Sequence, residues 1–266
     1  MAIISFFSPA QLAQLREQRR HSTCLLFLSG PSASEVSLSQ LRATDIIAVN
    51  GSAGYLLDQG INPFIYLVTD GRFATQRFEA FKRHVTAATF TFINQEVFDS
   101  APTDLQRWLA ERCFILKELY KREKSGPIKK LKYAFFCARH PSVMMDVPLS
   151  RKKRMKGFSK DITLGYCNCK TVAYAAIQLA YSLGYPKIIC AGFDLTSGGQ
   201  RFYDRPGEAV MPSEISQDAQ KIITVLRFMR EKINPPLFTL STTTAIPYDI
   251  IPLVEQVGEE VESRDQ

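Results

Sequence analysis

A chain of 266 residues with 45% hydrophobic and 22% charged residues has the composition of a folded domain and excludes a disordered or fibrous protein. The formal charge is +7, and no apolar run approaches the roughly 20 residues that a membrane span needs. Six cysteines without C-x2-C spacing and three scattered histidines exclude a disulfide scaffold and a histidine-rich metal centre. The cysteines, including Cys167 and Cys169, are expected as buried free thiols. The opening MAIISFFSPAQLAQLREQRR lacks a basic region before a short apolar stretch, so a soluble, cytoplasmic chain is expected.

Ser8-Pro9 starts a predicted helix through Arg20, with Leu12 and Leu15 on one face. Four short apolar runs follow: Cys24 to Ser29, Ile46 to Val49, Phe64 to Val68, and TFTFIN ending at Asn94. Continuous apolar runs of this length read as strands buried on both faces of a parallel sheet. Helices are predicted around Ser52 to Gln59 and Phe73 to His84, and a longer one over Thr103 to Lys124 with Trp108 on its core side. After a turn at Gly165 comes an alanine-rich helix of about fifteen residues. It stops at Gly184-Tyr185-Pro186 and leads into a strand over Lys187 to Ala191. A helix from an N-cap at Ser213 to Lys232 and a strand near Phe238 to Leu240 complete the pattern. The expected fold is α/β: a Rossmann-like, mostly parallel sheet with flanking helices, one domain over residues 1–266.

The strands share an ending. They stop at Gly30-Pro31-Ser32, Asn50-Gly51-Ser52, Thr69-Asp70-Gly71 and Gly192-Phe193-Asp194. Any one of these reads as an ordinary turn. Together they point to a crevice beyond the carboxyl ends of the strands, where ligands of open α/β sheets sit. Glycine lets backbone approach a phosphate or base, and Ser, Asn, Thr and Asp supply hydrogen bonds. Neither G-x-G-x-x-G nor G-x-x-x-x-G-K-[ST] is present.

Charge is concentrated in residues 117–160, where fourteen Lys and Arg face Glu118, Glu123 and Asp146. This segment reads as a basic insertion or lid. It is either a solvated surface or a face for a polyanion or an anionic membrane. No zinc-finger, RNP or heptad pattern accompanies it, so nucleic acid is not the expected partner.

The Gly30-Pro31-Ser32, Asn50-Gly51, Thr163-Leu164-Gly165 and Gly192-Phe193-Asp194 turns resemble those of bacterial sialyltransferases that use CMP-activated sugars. Longer segments, DIIAVNGSAGYLL, PFIYLVTDGRF, KDITLGYCNCKTVAYAAIQLAYSL and RFYD followed by MPSEIS, resemble the WaaZ (RfaZ) family of lipopolysaccharide core synthesis across nearly the whole chain. The resemblance implies a glycosyltransferase that adds Kdo (3-deoxy-manno-octulosonic acid) from CMP-Kdo to the lipopolysaccharide inner core, by direct displacement of the inverting type. It implies no tightly bound cofactor and no metal, with CMP-Kdo as donor substrate. The acceptor is the Kdo-lipid A inner core, and the enzyme lies peripherally on the cytoplasmic face of the inner membrane.

The resemblance also distributes roles. Gly30, Pro31, Ser32, Asn50 and Gly51 would line the CMP site, and Thr163, Leu164 and Gly165 would approach through backbone groups. Gly192 and Asp194 would meet cytosine and ribose, while Tyr203, with Thr196 and Arg201, would donate to the leaving phosphate. Lys129, Lys130, Arg151, Lys152, Lys153 and Arg154 would hold acceptor anions or dock to lipid. The sialyltransferases carry a histidine as general base before the late helix, and MPSEISQDAQK contains none. Glu214 is the first substitute, with Asp70 and His140 behind it. Two readings compete: a transferase for CMP-sialic acid or another nucleotide sugar, and a non-catalytic protein that binds anionic glycolipid.

Overall fold

The computed structural model describes residues 5–120, 126–148, 150, 153–196, 201–203 and 215–257, except for the side chains of 215–217. Its centre is an all-parallel, eight-stranded sheet. The strands are β1 (Ser5–Phe6), β2 (Thr23–Phe27), β3 (Asp45–Val49), β4 (Ile65–Val68), β5 (Phe90–Ile93), β6 (Cys113–Ile115), β9 (Lys187–Ala191) and β10 (Leu237–Thr239). Across the sheet they run β1-β6-β5-β4-β3-β2-β9-β10. A separate antiparallel pair joins β7 (Val143–Asp146) to β8 (Lys156–Ser159).

Alternation along the strands sorts the core into two layers. Cys24 and Leu26 of β2 join Ile47 and Val49 of β3 on one face, under α9 (Val172–Ser182) and α10 (Ile215–Lys232). Leu25 and Phe27 join Ile46 and Ala48 on the other. That second face is covered by α3 (Ser52–Asp58), α4 (Gly71–Gln76), α5 (Phe78–Ala87), α6 (Gln95–Ser100) and α7 (Thr103–Arg112). Two further helices are α1 (Pro9–Arg19) and α2 (Leu38–Arg42). α1 opens on a capping box in which Gln11 N donates to Ser8 Oγ and Ser8 N to Gln11 Oε1, with Leu12 and Leu15 inward.

The structure departs from expectation in four places. The helix predicted over Thr103 to Lys124 ends at Arg112, and Cys113, Phe114 and Ile115 form β6. Those residues continue the helical period, but pairing with β5 and β1 satisfies their backbone inside the sheet. The helix expected over Phe73 to His84 is two helices broken at Arg77, which leaves the helical region at φ −126° and ψ 45°. β1 was not anticipated, being only two residues long. The basic segment holds α8 (Pro127–Arg139) and the β7–β8 pair, and Tyr120, Val143, Met155 and Phe158 from it lie in the core beneath α9 and α10. These four residues fix the segment to that layer, while Ile128, Leu131 and Phe135 of α8 are exposed. All six cysteines are free and five are buried. Ser213 lies outside the described residues.

Candidate nucleotide-sugar site at the carboxyl edge of the sheet

From β2 the chain proceeds outward through β3, β4 and β5 to β6, then returns to place β9 on the other side of β2. The strand order reverses between β2 and β9, and the connections leaving those two strands diverge there. Such a switch point opens a crevice at the carboxyl ends of the strands.

Two glycines close its floor. Gly30 N donates to Gly192 O at 2.9 Å, extending the ladder one step beyond the strands. A Cβ on Gly30 would lie 2.5 Å from Asp194 Oδ2 and 2.6 Å from Gly192 O. Gly192 holds φ +78°, and a Cβ there would meet the Ala33 side chain at 2.8 Å. The two strand ends approach this closely only without side chains.

Asp194 locks the same floor. It accepts from Ser32 N at 2.9 Å, Ser32 Oγ at 2.5 Å and Ser241 Oγ at 2.6 Å, and it is 3% exposed. Gly192 N donates to Ser32 Oγ at 3.2 Å. Ser32 and Asp194, expected to touch nucleotide, are thus engaged with each other and shape the crevice from beneath. Pro31 begins the short 3-10 turn Pro31–Glu35 and is exposed.

At the end of β3, Asn50 adopts φ +48°, and its Oδ1 is buried with no hydrogen-bond partner. Such strain in a non-glycine residue is typical of binding sites. Ser52 Oγ lies 2.7 Å from Phe27 O and accepts from Val49 N at 3.0 Å, tying β3 to β2. The buried His84 reaches Tyr66 OH at 3.3 Å through Nδ1, and its Nε2 lies under Gly54, where a Cβ would approach it to 3.2 Å.

Residues 201–203 return over this edge. Phe202 packs edge-on against Phe27 and Tyr55, with centroids at 5.5 and 5.3 Å, and its amide donates to Ser29 O at 3.3 Å. This anchor lays the Tyr203 ring on Gly51, where a Cβ would come within 2.3 Å of it. Tyr203 OH reaches Ser29 Oγ at 3.4 Å. Beyond β4, Asp70 caps α4 by accepting from Arg72 N at 3.0 Å, and it pairs with the Arg72 guanidinium at 2.8 Å. Burial alone would raise the Asp70 carboxyl, but its Arg72 hydrogen bonds and the Arg72 and Arg201 charges hold it below the usual carboxylate range. Asp70 therefore lies within the influence of Arg201, whose segment carries Tyr203 onto Gly51. A carboxylate stabilised in this way is a weaker proton acceptor than a free one.

Other expected residues fall elsewhere. Gly165, at φ +123°, docks against Lys117 O, and Tyr166 N donates to that carbonyl at 2.8 Å. Thr163 is held by Asp161 Oδ1 at 2.7 Å, and Leu164 N donates to Asp161 O at 3.2 Å. This turn is fastened to the chain leaving β6, away from the β2–β9 junction. It leads to α9, whose first turn is capped by Thr171. Thr196 is exposed, at the end of the described segment that leaves β9.

His140 is corrected outright. Its carbonyl accepts from Val143 N at 2.8 Å, and neighbouring Ser142 O accepts from Lys160 N at 2.7 Å. Lys160 O and Ser182 O both accept from Arg16, and Ser182 ends α9 at the amino edge of the sheet. His140 is therefore tethered toward the edge opposite the crevice. Lys130 is also corrected: it is fully buried, and its ammonium donates to Ser150 O at 2.7 Å and Lys153 O at 3.0 Å. It ties the basic segment together and presents no charge outward. Lys129 and Lys153 are exposed and Arg154 is half-buried. Arg151, Lys152 and Glu214 lie outside the described residues.

Ser29, Ser241 and His84 have no assigned role in the sequence reading, whereas Ser52 stands there among the strand-end residues. Ser241 follows β10 in a Ser-Thr-Thr-Thr run, so the rule that small polar residues end these strands would have found it. His84 sits mid-helix, and no local signal marks it. Among the described residues, no three His, Cys, Asp or Glu side chains converge as metal ligands, and no helix is long and apolar enough to cross a membrane.

An open parallel sheet whose strand order reverses between β2 and β9 defines a Rossmann-like α/β protein, and relatives narrow that class to glycosyltransferases. Residues 6–257 match the family model described as 3-deoxy-D-manno-octulosonic acid transferase WaaZ. The chain belongs to this family. A "probable 3-deoxy-manno-octulosonic acid transferase" of Salmonella typhimurium is 45% identical over 255 residues, covering 96% of this chain and 94% of the relative. A protein of the same description from Escherichia coli is 43% identical over 256 residues, covering 96% and 90%. Among solved structures, a Maf glycosyltransferase from Magnetospirillum magneticum shares the fold, with a TM-score of 0.50 and 14% identity. That match covers 94% of this chain but only 38% of the other.

Proposed function

We propose that the protein transfers Kdo from CMP-Kdo to the lipopolysaccharide inner core, with Kdo-lipid A as acceptor, at the cytoplasmic face of the inner membrane. Family membership supports the sugar. The observation that supports the site is the Tyr203 ring packed on Gly51 at the strand-end edge that also holds the Gly30–Gly192 contact.

CMP lies along the edge from Gly192 and Gly30 to Asn50 and Gly51, beside the Tyr203 ring that covers Gly51. The unpartnered Asn50 Oδ1 is an acceptor suited to the cytosine amino group or a ribose hydroxyl. The acceptor hydroxyl attacks the anomeric carbon as the bond to the CMP phosphate breaks. The electron pair of that bond leaves with CMP, and the hydroxyl proton passes to a base. Direct attack opposite the leaving group inverts the anomeric centre. Tyr203 and Arg201 stabilise the departing phosphate, with Thr196 at the rim. A monophosphate leaving group gathers less charge than a diphosphate, so these groups suffice without a metal. With Asp70 paired and His140 at the other edge, Glu214 is the assigned base. Lys129, Lys153 and Arg154 face acceptor phosphates and carboxylates. The 117–160 segment acts within one domain rather than as a separate one.

Thermal denaturation with saturating CMP, CDP, UMP, UDP, GMP or AMP tests the nucleotide, because a ligand of the native state raises its stability. Selective stabilisation by CMP is expected, followed by CMP release from CMP-Kdo when Kdo-lipid A is added. Preference for UDP or a purine overturns the reading, and faster release from CMP-sialic acid replaces the donor. Glu214→Gln is expected to lower turnover by about two orders of magnitude or more while CMP still binds.

A further inference from the structure

We infer that α8 is a membrane-docking helix that lies in the surface of an anionic bilayer. The inference deepens the proposed function and rests on it only for the lipid-linked acceptor that makes docking useful.

α8 is apolar on two sides. Tyr133, Phe136 and Cys137 pack inward against the core, and Tyr133 meets Tyr120 edge-on with centroids at 6.1 Å. Lys130, on the same inward side, spends its charge on the Ser150 and Lys153 carbonyls. The helix thus already has a complete inner face. On the outside, Ile128, Leu131 and Phe135 are 75%, 54% and 62% exposed. Their spacing of i, i+3 and i+7 aligns them in one stripe. They are three of the eight large hydrophobic residues exposed among those described, gathered on one helix of thirteen residues.

Charge identifies the partner. Lys129, Lys132 and Arg139 are exposed on the same helix, and PIKKLKYAFFCAR contains no acidic residue. At 100° per residue, Arg139 and Lys132 flank the stripe on the Ile128 side, and the exposed Lys129 lies about a quarter-turn from Ile128 on that same side. An apolar stripe bordered by cations matches the layering of a bilayer surface, where acyl chains lie beneath anionic headgroups. A purely apolar partner surface would leave these cations desolvated and unpaired. The helix is held to the fold by its inner face, so ordering it costs nothing at docking, unlike a segment that folds on the membrane.

The test uses the full chain and sedimentation with vesicles lacking both acceptor and donor. The vesicles are phosphatidylethanolamine with phosphatidylglycerol, or phosphatidylcholine alone. Binding is expected to the anionic vesicles only, falling as salt rises. I128S/L131S/F135S is expected to bind about tenfold more weakly or worse, and K129S/K132S/R139S likewise, with unchanged circular dichroism and CMP-induced thermal shift. F135W alone is expected to retain binding and to shift its emission to the blue on anionic vesicles. Equal binding by the triple apolar variant, or no binding by the intact chain, overturns the inference. A triple variant that turns an oligomer into a monomer without changing vesicle binding assigns the stripe to self-association and also overturns it. Vesicle binding with no CMP release leaves docking standing and removes the transferase reading, so the two failures are separable.

Discussion

Ser32 and Asp194, 162 positions apart, are joined twice across the β2–β9 junction: the Ser32 amide donates to Oδ2 at 2.9 Å and its hydroxyl to Oδ1 at 2.5 Å. With Ser241 Oγ as a third donor at 2.6 Å, the carboxylate organises three loops that leave β2, β9 and β10. Asp194→Ala leaves these donors buried without an acceptor. Chemical denaturation is expected to show a loss of about 2–4 kcal/mol, with the CMP response lost as well. Stability within about 0.5 kcal/mol of the parent contradicts the clamp.

Gly30 and Gly51 are both crowded, but against different neighbours. At Gly30 a methyl meets a backbone carbonyl and a buried carboxylate, neither of which can retreat. Gly30→Ala is therefore expected to destabilise by about 2–3 kcal/mol. At Gly51 the neighbour is the Tyr203 ring, so Gly51→Ala should displace Tyr203 and leave melting within a few degrees of the parent. Turnover is expected to fall about ten- to a hundredfold in Gly51→Ala and about a hundredfold in Tyr203→Phe, measured as CMP release. Full activity in both would remove Tyr203 from the leaving-group role.

Adjacent lysines on α8 should behave oppositely. Lys130→Met strips two carbonyls of their buried donor and is expected to cost about 1–3 kcal/mol. Lys129→Met changes an exposed position, and a shift of less than about 0.5 kcal/mol is expected. Denaturant titration of the two variants side by side decides the matter.

His84 predicts an acid-sensitive fold. Burial, reinforced by the Arg83 charge, lowers its pKa from 6.5 to about 4. The unfolded chain therefore binds the proton more readily than the native one between those values. The stability from keeping His84 neutral is complete above about pH 6.5 and is lost as pH falls toward about 4. The loss is on the order of 2–3 kcal/mol. His84→Gln should flatten that part of the stability-against-pH curve, and an unchanged slope would assign the acid sensitivity elsewhere.

The sheet was legible because its signal is local. The runs at 24–28, 46–49, 64–68 and 188–191 are apolar without interruption, and 90–93 is broken only by Thr91, as strands covered on both faces allow, and small polar residues mark their ends. The glycine turns were visible for the same reason: a closely approached backbone writes glycine into the chain at that point. The segment 113–115 was not legible, since a three-residue apolar run satisfies helix and strand patterns alike until a neighbouring strand claims its backbone.

Side-chain direction depends on distant partners. In the sequence, Asp194 and Ser32 are good nucleotide ligands, and folding spends them on each other. Lys129 and Lys130 are equivalent letters in a basic run, yet the helical turn between them sends one to solvent and the other to two carbonyls. Sequence pattern thus establishes the layers, the family and the strand ends at which the proposed site lies. Which polar groups remain free at that edge, and which cations face outward, follows from contacts between residues 20 to 160 positions apart, for which a linear pattern holds no record.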